Sequence, residues 1–249
     1  MAGHSKWANI KHKKGRADAQ RGKVFTRISK ELTIAAREGG GDPTGNPRLR
    51  LAMQNARAVN MPNDNITKAI KKGTGEIEGV TYEEIIYEGY APNGVAVLLE
   101  TVTDNKNRTL PEIRSLMAKH GGNLAETGAV AWNFERKGVI SISTNTKTED
   151  ELMEIVLDAD AEDIEYDEET SRIISSMENF SAVNKYLEDN KFNIAEAKLE
   201  YIPKNVVNLT DVSAAQKVLK FIDIFEEHDD VQNVFSNFSI DDSIADKIV

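Results

Sequence analysis

Between residues 18 and 38 the apolar positions Phe25, Ile28, Leu32 and Ala35 recur at steps of three and four, the period of a helix that buries one stripe. Lys23, Arg27, Lys30 and Arg37 keep the same steps on the other flank. A core face and a cationic face are therefore expected on one helix. Gly39, Gly40 and Gly41 stop it, and Asn46 before Pro47 is an N-cap and first-turn pair for a second helix with Leu49, Ala52, Met53, Ala56 and Val59 inward. The stretch NMPNDN breaks that helix, and a short third one carries Ile66, Ala69 and Ile70 inward and ends at Gly73. Its Lys68, Lys71 and Lys72 lie on or near one side.

From Tyr82 the period changes. EIIYEGY and GVAVLLETV are apolar and β-branched, separated by the turn signal APNG, which predicts a hairpin. A helix follows in NRTLPEIRSLMAKHGG, with Ile113, Leu116 and Met117 inward, then a strand in AVAWNFE, a turn, and a strand in GVISIS. EDELMEIVLDA reads as a helix, DIEYDEETSRIISS as two strands, FSAVNKYLEDN as a helix and IAEAKLEYIP as a strand. Residues 138–203 thus spell β-α-β-β-α-β, a ferredoxin-like order. Residues 94–136 give β-α-β, and residues 204–239 give a strand in NVVNL, a long amphipathic helix and a strand in VQNVFSNFSI. Joined, they spell the same order again.

The expected fold class is α+β: an N-terminal three-helix domain followed by two ferredoxin-like α/β units, one inserted into the other at about residue 137. The expected domains are residues 1–76, residues 77–136 plus 204–249, and the inserted residues 137–203.

Charge changes the picture. The 249 residues have a formal net charge of -10, but residues 1–72 hold 16 Lys plus Arg against 5 Asp plus Glu, a net +11, whereas the remainder nets -21. Segregation of this kind points the basic piece toward a nucleic acid or another acidic surface. The first sixteen residues, MAGHSKWANIKHKKGR, concentrate the effect: five cations, two of the four His and no acid. There is no Cys, which removes disulfides, thiolate catalysis and Cys-based zinc sites. No run approaches the roughly 20 apolar residues of a membrane-spanning helix, no apolar segment follows the basic start, and Ala2 departs from the myristoylation pattern. A cytoplasmic protein without a membrane partner is expected.

Candidate chemistry is narrow. The loop GGGDPTGNP lacks the Gly-Lys-Ser/Thr ending of a phosphate-binding loop and follows a helix, so it reads as a turn that sets the angle between the first two helices. Residues 149–169 hold 12 acids and no base, with Asp158, Asp160, Glu162 and Glu169 at positions 1, 3, 5 and 12 of a calcium-loop frame. That frame needs Gly where Asp163 stands and an apolar residue where Glu165 stands, so a solvated acidic face is expected and no metal. His120 and His228 lie near helix ends and assemble no catalytic group. No enzyme, no cofactor and no small-molecule substrate are expected.

The residues expected to meet nucleic acid are His4, Lys6, Trp7, Lys11, His12, Lys13, Lys14 and Arg16 of the arm, with Lys23, Arg27, Lys30, Arg48, Lys68, Lys71 and Lys72 of the helices. Cations follow a phosphate backbone and flat rings stack on bases. Trp7 has two readings, a base-stacking ring or an apolar plug that docks the arm.

At these residues a resemblance enters. MAGHSKWANIKHKK, GKVFTRI, AAREGGGDPTGNPRLR, NMPNDNI, YEGYAPNGVAV, DNKNRT and HGGNL together resemble the YebC family of bacterial proteins, described as probable transcriptional regulators, with mitochondrial relatives that activate translation of a cytochrome oxidase subunit. The likeness runs the whole length and is thinner in the acidic half. It implies a three-domain architecture, a cytoplasmic location, no cofactor, and nucleic-acid binding through the basic N-terminal domain. In the family pattern a Lys is frequent where Asn63 stands, and Gly and Ser where Ala125 and Ala129 stand. Three functions follow as expectations: a DNA-binding transcriptional regulator first, a ribosome-associated, RNA-binding translation factor second, and an acidic scaffold for basic proteins third.

Overall fold

The computed structural model describes residues 18–144, 147–245 and 247–248. These divide into two compact units, residues 18–80 with 136–200 and residues 81–135 with 201–248.

The first unit opens with three helices, α1 (Asp18–Gly39), α2 (Pro47–Ala58) and α3 (Asn63–Thr74). Their apolar stripes meet in one core of Leu32, Ala35, Ala36, Leu49, Ala52, Ala56, Met61, Ile66 and Ala69. Asn46 controls the first turn. Its amide donates to the carbonyls of Ala35 (2.7 Å) and Gly40 (2.9 Å), while its Oδ1 accepts from the Leu49 N–H (3.0 Å). One buried side chain thus closes α1 and starts α2. Helices α1 and α3 approach so closely that a Cβ on Gly73 would stand 2.3 Å from the Thr33 carbonyl oxygen. Gly73 lies inside the last turn of α3, and Gly75, at φ +80°, caps it.

The inserted part of this unit runs β4 (Phe134–Ser143), α5 (Glu149–Asp158), β5 (Asp163–Glu165), β6 (Thr170–Ser175), α6 (Phe180–Asp189) and β7 (Ile194–Pro203). The sheet order β5-β6-β4-β7 is that of a ferredoxin-like unit. Ile140, Ile142 and Ile173 pack on Leu152, Val156, Val183 and Leu187 of the two helices. On the other flank of β6 Arg172 pairs with both Glu165 and Glu200. Helix α2 joins this part through the edge strand β7. Asn55 Nδ2 donates to the Ala197 carbonyl (2.8 Å) and its Oδ1 accepts from the Ala197 N–H (3.0 Å), so a side-chain amide takes the place of a neighbouring strand.

The second unit contains β1 (Glu83–Tyr90), β2 (Ala96–Thr103), α4 (Lys106–Lys119), β3 (Asn123–Leu124), β8 (Val207–Leu209), α7 (Val212–Glu226), β9 (Val231–Ser236), β10 (Phe238–Ile240) and the short α8 (Asp242–Ala245). Its main sheet is antiparallel in the order β3-β1-β2-β9. Val97, Leu99, Ile113, Met117, Val218, Phe221 and Phe225 form the core beneath α4 and α7, so α7 packs on β2 and α4.

Three elements differ from the sequence reading. The expected strand at 129–135 is a turn, with one 3-10 turn at Ala131–Asn133, and β4 then runs unbroken from Phe134 through the expected turn at Lys137. The expected strand in NVVNL is β8, which leaves the main sheet and pairs in parallel with β10. Strand β1 takes its place between β2 and β3, so the sheet keeps the ferredoxin-like order with a strand from the wrong end of the segment.

Candidate nucleic-acid interface

Of the expected contact residues, His4, Lys6, Trp7, Lys11, His12, Lys13, Lys14 and Arg16 lie outside the described residues. The seven on the helices separate into two groups. Lys68, Lys71 and Lys72 stand exposed on the outer side of α3, whose inner side buries Ile66 and Ala69. Lys71 and Lys72 also occupy the last turn, where the negative end of the helix dipole favours cations. None of the three forms an ion pair among the described residues.

The other four are drawn into the structure. Lys23 and Arg27 are half-buried. Lys30 is 8% exposed, one turn before Thr33, whose hydroxyl donates to the Ala69 carbonyl (3.1 Å). The continuous cationic face expected on α1 is therefore interrupted. Arg48 spends its guanidinium on Glu31 (Nε to Oε1, 2.8 Å; Nη2 to Oε2, 3.0 Å) and on Glu38 (2.8 Å). That fork holds α2 against α1, so the Arg48 guanidinium already has carboxylate partners.

The sequence reading passed over Arg50 and Arg57 on α2 as contacts. Both are exposed, as is Arg37 in the last turn of α1, and none of the three has an ion-pair partner among the described residues. Arg50 donates only to the Pro43 carbonyl (3.1 Å). Their signal was the exposed flank left over once Leu49, Ala52 and Ala56 are assigned to the core. Among the described residues the helical module thus presents six exposed cations without ion-pair partners: Arg37, Arg50, Arg57, Lys68, Lys71 and Lys72. Such a surface can neutralise phosphates along a nucleic-acid backbone.

The remaining singled-out groups serve the scaffold. Asp160 accepts from Asn179 Nδ2 (2.8 Å) and Glu162 pairs with Lys137 (2.8 Å), so two acids of the calcium-loop frame are committed to structural bonds. The motif DNKNRT caps α4. Asn105 Oδ1 accepts from the N–H groups of Asn107 and Arg108, and the buried Asp230 accepts from Thr109 Oγ1 (2.8 Å) and Arg108 Nη2 (2.7 Å). His228 Nδ1 accepts from the Asp230 N–H (3.1 Å), which fixes that ring as well.

A second feature, absent from the sequence reading, lies in the other unit. Glu88 of β1 is 4% exposed, and its carboxylate accepts three backbone N–H bonds, from Gly128 (2.6 Å), Val130 (2.7 Å) and Ala131 (2.8 Å). Burial raises its pKa, but the three N–H donors outweigh that and leave it below the ordinary glutamate range. The segment it gathers ends in Trp132, whose side chain is the most exposed aromatic of the described residues.

Comparison with known proteins places the chain. A family profile for the TACO1/YebC protein N-terminal domain matches residues 5–76, and one for the TACO1/YebC second and third domain matches residues 82–238. A probable transcriptional regulatory protein of Syntrophomonas wolfei is 56% identical over 98% of this chain and 98% of its own length. One from Thermotoga maritima is 54% identical, covering 100% of this chain and 98% of its own. The crystal structure of a conserved hypothetical protein from Aquifex aeolicus superposes with a TM-score of 0.90 at 46% identity, over 96% of this chain and 99% of that one. With both profiles matched in order and relatives alike from end to end, the chain belongs to the TACO1/YebC family.

Proposed function

We propose that this protein is a non-enzymatic regulator of gene expression that binds nucleic acid through its basic helical module, residues 1–76, and acts in the cytoplasm. The observation that carries the reading is the set of six exposed cations without ion-pair partners among the described residues, on a module whose buried cations and Arg48 are by contrast all accounted for structurally. The composition of the arm adds Lys6, Lys11, Lys13, Lys14 and Arg16 to the same end of the sequence. Duplex DNA is the first ligand, in keeping with the transcriptional names of the relatives. The acidic inserted part would be repelled by phosphate, so it faces solvent or a protein in such a complex.

RNA is the second ligand, and one observation favours it. Trp132 offers an exposed ring, and unpaired bases, which duplex DNA keeps stacked, are common in RNA loops. In that reading the protein is a translation factor on the ribosome. Crosslinking in cells followed by sequencing of the attached nucleic acid decides: promoter DNA supports the first ligand, ribosomal or messenger RNA the second, and recovery of neither rejects both.

A further inference from the structure

An aromatic side chain that protrudes into water is usually free to turn; Trp132 is not. The residue is 66% exposed, yet its Nε1–H donates to the Ala129 carbonyl (3.0 Å), which sets the direction of the indole. The chain on either side of it is pinned. Upstream, Glu88 holds residues 128, 130 and 131, and the Ala125 N–H donates to the Glu88 carbonyl (2.8 Å). Gly128 takes φ +89°, a conformation that lets its N–H turn toward the carboxylate and that other residues adopt only with strain. Val130 is buried with Ala96, Leu98, Phe134 and Phe235.

Downstream, the buried Asn133 donates through Nδ2 to the Asn205 carbonyl (3.0 Å) and accepts at Oδ1 from the Asn205 N–H (3.0 Å). The Lys204 N–H donates to the Asn133 carbonyl (2.7 Å), and Asn237 Nδ2 donates to the Asn205 carbonyl (3.1 Å). Burying a carboxylate and an amide is costly unless every polar atom finds a partner. Here two such groups are buried and satisfied in order to fix a surface turn. The turn packs Val130, with Ala129 and Ala131 partly, on the cluster of Ala96, Leu98, Phe134 and Phe235 and leaves one large apolar group outside it, the ring at its tip.

We propose that Trp132 is a stacking platform for an unpaired nucleobase, with Lys204, an exposed residue whose backbone N–H bonds the carbonyl of the adjacent Asn133, supplying a cation for an adjoining phosphate. A rigid aromatic face next to a cation is the arrangement by which proteins hold single strands, and a ring ordered in advance pays less on binding. A protein partner fits less well. The indole N–H is already committed to Ala129, so no donor remains for a partner carbonyl, and the ring protrudes where a protein hot spot would sit in a pocket shielded from water. This inference rests on the nucleic-acid reading above and adds to it a second contact, of different chemistry, in the second unit.

The test uses the full chain carrying Trp7→Phe, which leaves Trp132 as the sole tryptophan of two. Its fluorescence is followed during titration with an oligothymidylate and with an abasic strand of the same length. The oligothymidylate quenches Trp132 emission and the abasic strand does not. In the same background Trp132→Ala weakens oligothymidylate binding about tenfold, as expected for one lost base stack, and leaves abasic affinity unchanged. Trp132→Phe restores most of the loss. If the oligothymidylate binds with Trp132 emission unaltered and with equal affinity to Trp132→Ala, the stacking role is overturned and the ring falls to a protein contact. If the chain binds neither strand at low salt, the nucleic-acid reading itself fails, and the inference with it.

Discussion

The two surfaces proposed to meet nucleic acid are built on opposite principles. The outer side of the helical module offers cations on long side chains, Lys68, Lys71 and Lys72 on α3 with Arg50 and Arg57 on α2. The turn at residues 128–133 offers one ring with no freedom, held by a buried carboxylate below and a buried amide behind. The first kind of surface acts at a distance, tolerates imprecision and weakens steeply with salt. The second acts only in contact, demands geometry and is nearly indifferent to salt. A protein with both would collect nucleic acid by charge and then retain strands that expose a base.

The largest effect expected from separating them falls on the helices. Replacing Lys68, Lys71 and Lys72 with Gln weakens binding of any nucleic acid and makes the log-log salt dependence shallower by up to about 0.9 for each lysine removed. The preference for oligothymidylate over an abasic strand survives. Loss of that preference in this variant would show that the two surfaces are not independent.

Next in size is Glu88. Glu88→Ala strands three backbone donors and lowers stability by roughly 2–4 kcal/mol, measured by chemical denaturation. It also removes the base preference while leaving the salt slope intact. The carboxylate's pKa is depressed on folding, so its contribution is fully present above the unfolded value of 4.5 and is lost as pH falls through the lower folded value. Trp132 emission in the Trp7→Phe chain is therefore steady through neutral pH and changes only below about 4.5. A change centred near neutrality would contradict the clamp.

A smaller effect belongs to Asn55→Ala, which uncovers the edge of β7 and costs about 1–2 kcal/mol with no change in either mode of binding. Smallest is Arg48→Gln. Its guanidinium is committed to Glu31 and Glu38, both partly solvated, so stability falls by less than about 1 kcal/mol and nucleic-acid affinity is nearly unchanged. A loss equal to that of a Lys71→Gln variant would return Arg48 to the contact surface.

The same contrast explains what could be read from the residues. Helices α1 to α3 were legible because each buries one stripe at a fixed period and Asn46 announces its cap locally. The burial of Lys30 was not legible because a period gives the width of a stripe only on one helix, whereas α1 also meets α3 at Thr33. The ion pairs of Arg48 were hidden for a like reason, since its acids lie on a different helix. The Trp132 turn was invisible: AVAWNFE alternates like a strand, and what bends it is Glu88, some forty positions earlier on the neighbouring strand β1. Likewise the main sheet took β1 where sequence order suggested β8, because pairing is decided by the neighbouring strands and not by position in the chain.

The central claim is that the helical module binds nucleic acid through phosphate neutralisation. The direct test is the affinity of the full chain for duplex DNA and for a single-stranded RNA over a salt series between about 50 and 200 mM. The account predicts a steep linear fall of log affinity against log salt for both, made shallower when Lys68, Lys71 and Lys72 become Gln. Absence of binding at the low-salt end, or a slope that the three substitutions leave unchanged, would contradict it.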